Sequence, residues 1–90
     1  MGGHTLPHLP YIGGVKMTVD DFNFLSNTYF DMREYYRGIL PDNKFFQAYF
    51  QNCLDRGIDS DCILCYLHGL GWTIEYLIDC VEQRLIHILL

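Results

Sequence analysis

Apolar residues recur at intervals of three and four after Thr18, and this is the spacing of one face of an α-helix. The segment begins with Thr-Val-Asp-Asp, which has the form of an N-terminal capping box with Asp in place of Glu or Gln. Pro41 prevents the helix from continuing into the next segment. The pattern predicts a first helix over about residues 19–38. Its apolar positions are Phe22, Leu25, Tyr29, Met32, Tyr36 and Ile39.

A second helix is predicted over residues 43–56, with Asp42 as its N-cap. Arg56-Gly57-Ile58 is typical of a helix C-terminus, because it combines a basic last turn, a Gly able to adopt positive φ and a following apolar residue. The apolar positions of this helix are Phe45, Phe46, Tyr49, Phe50, Cys53 and Leu54.

Two further helices are predicted over residues 60–69, capped by Asp59 or Ser60, and over residues 73–89, opened by Thr73. Their apolar positions are Ile63, Tyr66, Leu67 and Leu70, then Ile74, Leu77, Ile78, Val81, Leu85 and Ile88. No segment alternates with a period of two over a useful length, so no strand is predicted. The predicted fold class is all-α, a small bundle of four helices with short loops.

Residues 1–16 hold half of the eight Gly and two of the three Pro, a composition typical of a flexible arm. Residues 17–90 are predicted to form a single helical domain. The arm lacks the apolar run of a secretory leader, and the last helix carries too many charges for a membrane span. The four Cys then indicate a reducing compartment, and a cytoplasmic protein is predicted.

The acidic charge argues against binding to nucleic acid or to any other polyanion. The net charge is −5, and residues 59–90 hold five acidic residues against one basic residue, Arg84. Affinity for nucleic acid depends on Lys and Arg that neutralise phosphates. The charge therefore favours a partner with a basic surface.

A helix-turn-helix regulator is the first alternative interpretation. Cys53, Gly57, Ile58, Ile63 and Tyr66 resemble the pattern of that motif, in which a small residue and a Gly turn let two helices pack closely. DNA-binding members present basic or amide side chains from the second helix. Here that helix reads Asp-Cys-Ile-Leu-Cys-Tyr-Leu-His, so DNA contacts would have to come from elsewhere in the protein.

A zinc or thiol redox protein is the second alternative, using Cys53, Cys62, Cys65 and His68. At about 100° per residue, Cys62 and His68 diverge by about 120° on one helix, which is unfavourable for a shared ion. Cys62-x-x-Cys65 lies near a helix N-terminus, where the dipole favours a thiolate, but acidic neighbours disfavour it. No cofactor or metal is therefore predicted. No motif of an enzyme is found, so the protein is predicted not to be an enzyme.

Aromatic and aliphatic residues lie outside the predicted core stripes of the first and last helices. They form a predicted interface of Phe24, Phe30, Tyr35, Tyr76, Ile86 and Leu89. In a small domain, apolar area beyond the needs of the core usually becomes an interface. The sequence favours a non-enzymatic protein–protein interaction module, a small inhibitor or adaptor of the kind encoded by phages and mobile elements. Its expected partner is another protein or, in a homodimer, a second copy of itself.

Overall fold

Four α-helices with short connections account for most of the residues that the structure, a computed structural model, describes. Their bounds are Val19–Tyr36 for α1, Asp42–Arg56 for α2, Ser60–Gly69 for α3 and Ile74–Leu89 for α4. The predicted all-α fold class is confirmed. Helices α2 and α3 each contact the other three helices.

The structure describes residues 11–12 and 15–89, and it describes side chains for residues 17–86. Two two-residue strands, Tyr11–Ile12 (β1) and Val15–Lys16 (β2), pair antiparallel, and β2 contacts α3. These strands fall within the predicted arm and are too short for a period of two to reveal them. The rest of the arm lies outside the described residues.

The first helix begins where its capping pattern indicates and ends two residues early. The Thr18 hydroxyl accepts a hydrogen bond from the backbone N–H of Asp21 at 3.0 Å. At the other end, Arg37 adopts a left-handed conformation with φ of 48°, and its N–H donates to the Arg33 carbonyl at 2.9 Å. This conformation stops the helix at Tyr36, before the predicted end.

The N-terminus of α2 differs from its prediction, and its C-terminus agrees. Asp42 is the first helical residue and makes no capping bond, because Pro41 holds the cap position. Gly57 has φ of 97°, and its N–H donates to the last carbonyls of the helix. The N–H of Ile58 donates to the Cys53 carbonyl at 3.1 Å, and the Ile58 side chain is buried. The turn thus stabilises both the helix end and the core.

The core is rich in aromatic rings, most of them from α2. Its buried side chains are Met17, Leu25, Met32, Phe45, Phe46, Tyr49, Phe50, Cys53, Ile58, Cys62, Ile63, Tyr66, Leu67, Leu77 and Cys80. The Tyr49 hydroxyl, buried among them, donates to the Leu25 carbonyl at 2.7 Å. The buried Tyr49 hydroxyl therefore has a hydrogen-bond partner.

No helix in the part of the chain that the structure describes is long and apolar enough to cross a membrane.

Candidate functional site between α3 and α4

Helix α4 turns a different face to the core than its apolar pattern predicts. Leu77 and Cys80 are 4% and 1% exposed, and Cys80 was assigned outside the predicted stripe. Ile74, Ile78 and Leu85, which were assigned to it, are 55%, 51% and 55% exposed. The prediction that this stripe forms the core contact is therefore wrong for these three residues.

Polar contacts between α4 and α2 explain the rotation. The Gln47 side-chain amide donates to the Cys80 carbonyl at 2.9 Å. Arg84 donates to the Gln51 side-chain oxygen at 2.7 Å, and its guanidinium lies 5.0 Å from the centre of the Phe50 ring. These contacts orient α4 with Cys80 and Arg84 towards α2, so the aliphatic stripe lies to one side of the core.

The displaced stripe forms one wall of an open groove with a volume of about 310 Å³. Its lining residues are Leu64, Cys65 and His68 from α3, and Ile74, Leu77, Ile78, Val81 and Glu82 from α4. The lining is almost entirely apolar. From Ile74 to Leu85 the exposed aliphatic side chains extend over about 16 Å along α4. We refer to this feature as the α3–α4 groove.

Exposed acidic side chains lie on both helices that form the α3–α4 groove. Glu82 belongs to its lining, and Glu75 lies on the solvent-exposed side of the same helix. Asp61 is exposed and lies one helical turn before Leu64 and Cys65 on α3. After Arg56 the chain holds a single Lys or Arg, Arg84, whose contacts direct it to α2. The groove is therefore apolar with an acidic rim.

The interface residues predicted from the sequence lie elsewhere on the surface. Exposed fractions are 60% for Phe30, 79% for Tyr35, 37% for Tyr76 and 56% for Ile86. Phe24 is half-buried beneath Arg56, whose guanidinium lies 4.9 Å from the ring centre. The Leu89 side chain lies outside the described residues. None of the five residues with described side chains lines the α3–α4 groove, and the role of the whole set as an interface stays a prediction.

A cluster around Arg33, which the sequence did not reveal, joins α1, α2 and the α3–α4 connection. The Arg33 guanidinium lies 4.1 Å from the centre of the Phe45 ring and 3.5 Å from the Asp42 carboxylate. It also donates to the Tyr29 hydroxyl at 3.0 Å, and the Trp72 indole N–H donates to the same oxygen at 3.1 Å. These bonds connect the polar groups of the cluster with one another, and Tyr29, Arg33, Asp42 and Trp72 also line an open pocket of about 460 Å³.

The α2–turn–α3 segment has the burial that a helix-turn-helix requires. Cys53, Ile58 and Ile63 are all buried, and Gly57 forms the turn. The exposed polar side chains of α3, however, include no Lys or Arg. The packing of the motif is present without the basic recognition surface used for DNA.

The thiols are poorly suited to metal or redox chemistry. Within residues 17–86 no three His, Cys, Asp or Glu side chains are grouped closely enough to hold a metal ion, so the predicted set with His68 is not assembled there. Burial raises the pKa of the Cys53 thiol to about 11. Burial, and then the charge of Asp59, raises the pKa of Cys62, and burial with Asp61 raises that of Cys65. Raised thiol pKa values disfavour the reactive thiolate.

Comparisons with models of known protein families, with curated proteins and with solved structures returned no match for this chain. The α3–α4 groove is thus interpreted from its own geometry and charge.

Proposed function

We propose that this protein is a non-enzymatic interaction module that binds another protein, acting as a small inhibitor or adaptor of the kind encoded by phages and mobile elements. The observation that carries the proposal is the exposure of Ile74, Ile78 and Leu85 beside an apolar groove. Complete burial of such a side chain stabilises by about 1.5–3 kcal/mol. A partner that covers the half of each side chain now in water gains roughly 1 kcal/mol from each of them.

The position of these residues supports binding rather than folding as their purpose. Leu77 and Cys80 pack α4 into the core, and Gln47 adds a polar contact from α2. About half of each of the side chains of Ile74, Ile78 and Leu85 stays outside that packing. Contiguous exposed apolar surface on a small domain marks an interaction site more often than scattered apolar residues do.

The experiment that tests the proposal is affinity capture from cells of the source organism with three immobilised baits: wild type, Ile78→Asp and Ile39→Asp. Ile39 is a matched control, because its side chain is 83% exposed and lies far along the chain from the groove. We expect a specific protein on the wild-type and Ile39→Asp baits and its loss on Ile78→Asp. Binding of that protein, once purified, is then measured by calorimetry.

Two results would count against the groove as the binding surface. Retention of the partner by Ile78→Asp would exclude the α3–α4 groove, and its loss on a Tyr35→Asp bait would assign binding to α1 instead. Wild-type bait that retains no more protein than an unrelated acidic domain of equal size would overturn the interaction module itself.

The packing of the α2–turn–α3 segment keeps a helix-turn-helix regulator as a second candidate. Titration of mixed duplex DNA at low salt separates the two functions, since a regulator binds with a steep dependence on salt. We expect no binding, because Asp61 and the acidic residues of α4 repel phosphates.

A further inference from the structure

We infer that the α3–α4 groove receives an amphipathic helix of a partner protein, with an apolar ridge flanked by Lys or Arg residues. This inference rests on the proposed function and adds the chemistry of the partner to it. The partner's apolar residues contact Ile74, Ile78 and Val81, and its cations face Asp61, Glu75 and Glu82.

The dimensions of the groove fit a helix. Its two walls are neighbouring helices, and side-chain ridges of a third helix pack into such a groove at i, i+3, i+4 and i+7 spacing. The α4 wall of the groove extends from Ile74 to Glu82, about 12 Å, which matches roughly eight residues of a partner helix. A volume of about 310 Å³ equals about ten water-sized groups, enough for two or three aliphatic side chains.

The negative charge of the rim determines which charged residues can flank the apolar ridge of the partner helix. Glu82 lines the groove, and Glu75 on α4 and Asp61 on α3 are exposed on the helices that form its walls. Arg84, the single Lys or Arg after Arg56, is bound to α2. Cations on the partner therefore meet carboxylates on both sides of its apolar ridge. Acidic flanks would meet like charge, so the rim selects basic helices and rejects acidic ones.

The same charges argue against a second copy of this chain as the occupant. In a two-fold dimer through the groove each copy presents the same patch to the other. Glu75 and Glu82 of one copy would then approach Glu75 and Glu82 of the other copy. Helix α4 has a single Lys or Arg, Arg84, and that residue is bound to α2. The net charge of −5 on each chain adds to this repulsion.

The probes for the test are three synthetic, dye-labelled peptides of about 16 residues. Two share a Leu ridge at helical spacing and carry either Lys and Arg or Glu on the flanks, and the third has the basic composition with its ridge scrambled. Fluorescence anisotropy with the full chain is expected to show the basic ridge peptide binding at least about tenfold more tightly than the other two. Its affinity should fall as salt rises, because exposed charge pairs are screened.

Charge reversal at the rim provides the decisive variant. We expect Glu75→Lys/Glu82→Lys to weaken the basic peptide about fivefold and to strengthen the acidic one, as two exposed charge pairs change sign. The control, Asp31→Lys/Glu34→Lys on α1, changes the net charge equally at exposed positions away from the groove. It should leave the preference for the basic peptide intact, since the rim is unchanged.

Several results would overturn the inference. Equal binding of the basic and acidic ridge peptides, or no binding of either, would show that the groove does not select basic helices. A dimer in light scattering that Ile78→Asp dissociates would assign the groove to a second copy. The capture experiment with the wild-type bait judges the interaction module separately, so the two failures are distinguishable.

Discussion

Helices α2 and α4 are similar in length, at 15 and 16 residues, and both carry apolar residues at helical spacing. They use these residues differently. Helix α2 buries Phe45, Phe46, Tyr49, Phe50 and Cys53. Among the described side chains of α4, only Leu77 and Cys80 are buried. Equal periodicity in the sequence therefore produced a core helix in one case and a largely exposed apolar face in the other.

The difference shows that an apolar stripe indicates a helix without indicating which contact buries it. Helix α2 contacts α1, α3 and α4, and its rings pack on Tyr29 of α1 and on Trp72. Helix α4 lies at the edge of the bundle and contacts α2 and α3. A position at the edge leaves one side of a helix in water regardless of its residue types.

The largest effect is expected at Phe46, which is fully buried on α2 and stacks on Phe50 with ring centres 5.1 Å apart. Replacement Phe46→Ala should lower the free energy of unfolding by about 3–5 kcal/mol, because it removes a ring and leaves a cavity. Urea unfolding followed by circular dichroism measures the change. A loss below about 1 kcal/mol would contradict the assignment of α2 as the core helix.

A smaller loss is expected for Tyr49→Phe, which removes the buried hydroxyl bonded to the Leu25 carbonyl at 2.7 Å. The free energy of unfolding should fall by about 1–2 kcal/mol, since only one hydrogen bond is lost while the ring remains. Tyr35→Phe is the matched control, because Tyr35 is 79% exposed, and it should leave stability unchanged. Equal stability of Tyr49→Phe and wild type would show that the bond contributes nothing.

The buried Cys53 thiol makes stability depend on pH in the alkaline range. Burial raises its pKa from 9.0 in the unfolded chain to about 11 in the folded protein. Its contribution is therefore fully present below pH 9 and is lost progressively as pH rises towards 11. Between pH 8 and pH 10 wild type should lose about 1 kcal/mol more than Cys53→Ala in parallel urea titrations. Identical pH profiles for the two proteins would contradict the burial of this thiol.

The smallest effect on stability is expected on the exposed face of α4. Ile78→Ala should change the free energy of unfolding by no more than about 0.5 kcal/mol, whereas its buried neighbour Leu77→Ala should cost about 2–5 kcal/mol. The pair is compared by urea unfolding under identical conditions. A similar decrease in the free energy of unfolding for both variants would mean that Ile78 is buried like Leu77.

Much of the helical architecture was predictable, because its signals are local. The Thr18 capping pattern, the Gly57 turn and the Thr73 start each depend on residues within one helical turn, and each is found in the structure. The error at the end of α1 also has a local cause, which the residue types do not signal. The end of α1 depended on Arg37 adopting positive φ, which is uncommon for a residue with a Cβ.

The candidate site was the least predictable part of the protein. Ile74, Ile78 and Leu85 formed part of the most regular apolar stripe in the chain, and regularity favoured assignment to the core. Nothing local in the sequence shows that Gln47 and Arg84 orient α4, because the two residues are separated by 37 positions. The available signal was the wide apolar circumference of α4, which exceeds what one contact buries.

By itself, the sequence determined that four helices form, approximately where each begins and ends, and that the C-terminal part of the chain is acidic. Spacing, capping residues, turn glycines and charge are properties of neighbouring residues, so they can be read along the chain. Which face of α4 meets α2, and which faces water, depends on the packing of the folded chain. Three factors set the orientation of α4: burial of its apolar side chains, the contacts of Arg84 and Gln47, and the space available beside α3. All three depend on residues that are distant in the sequence and that folding brings together.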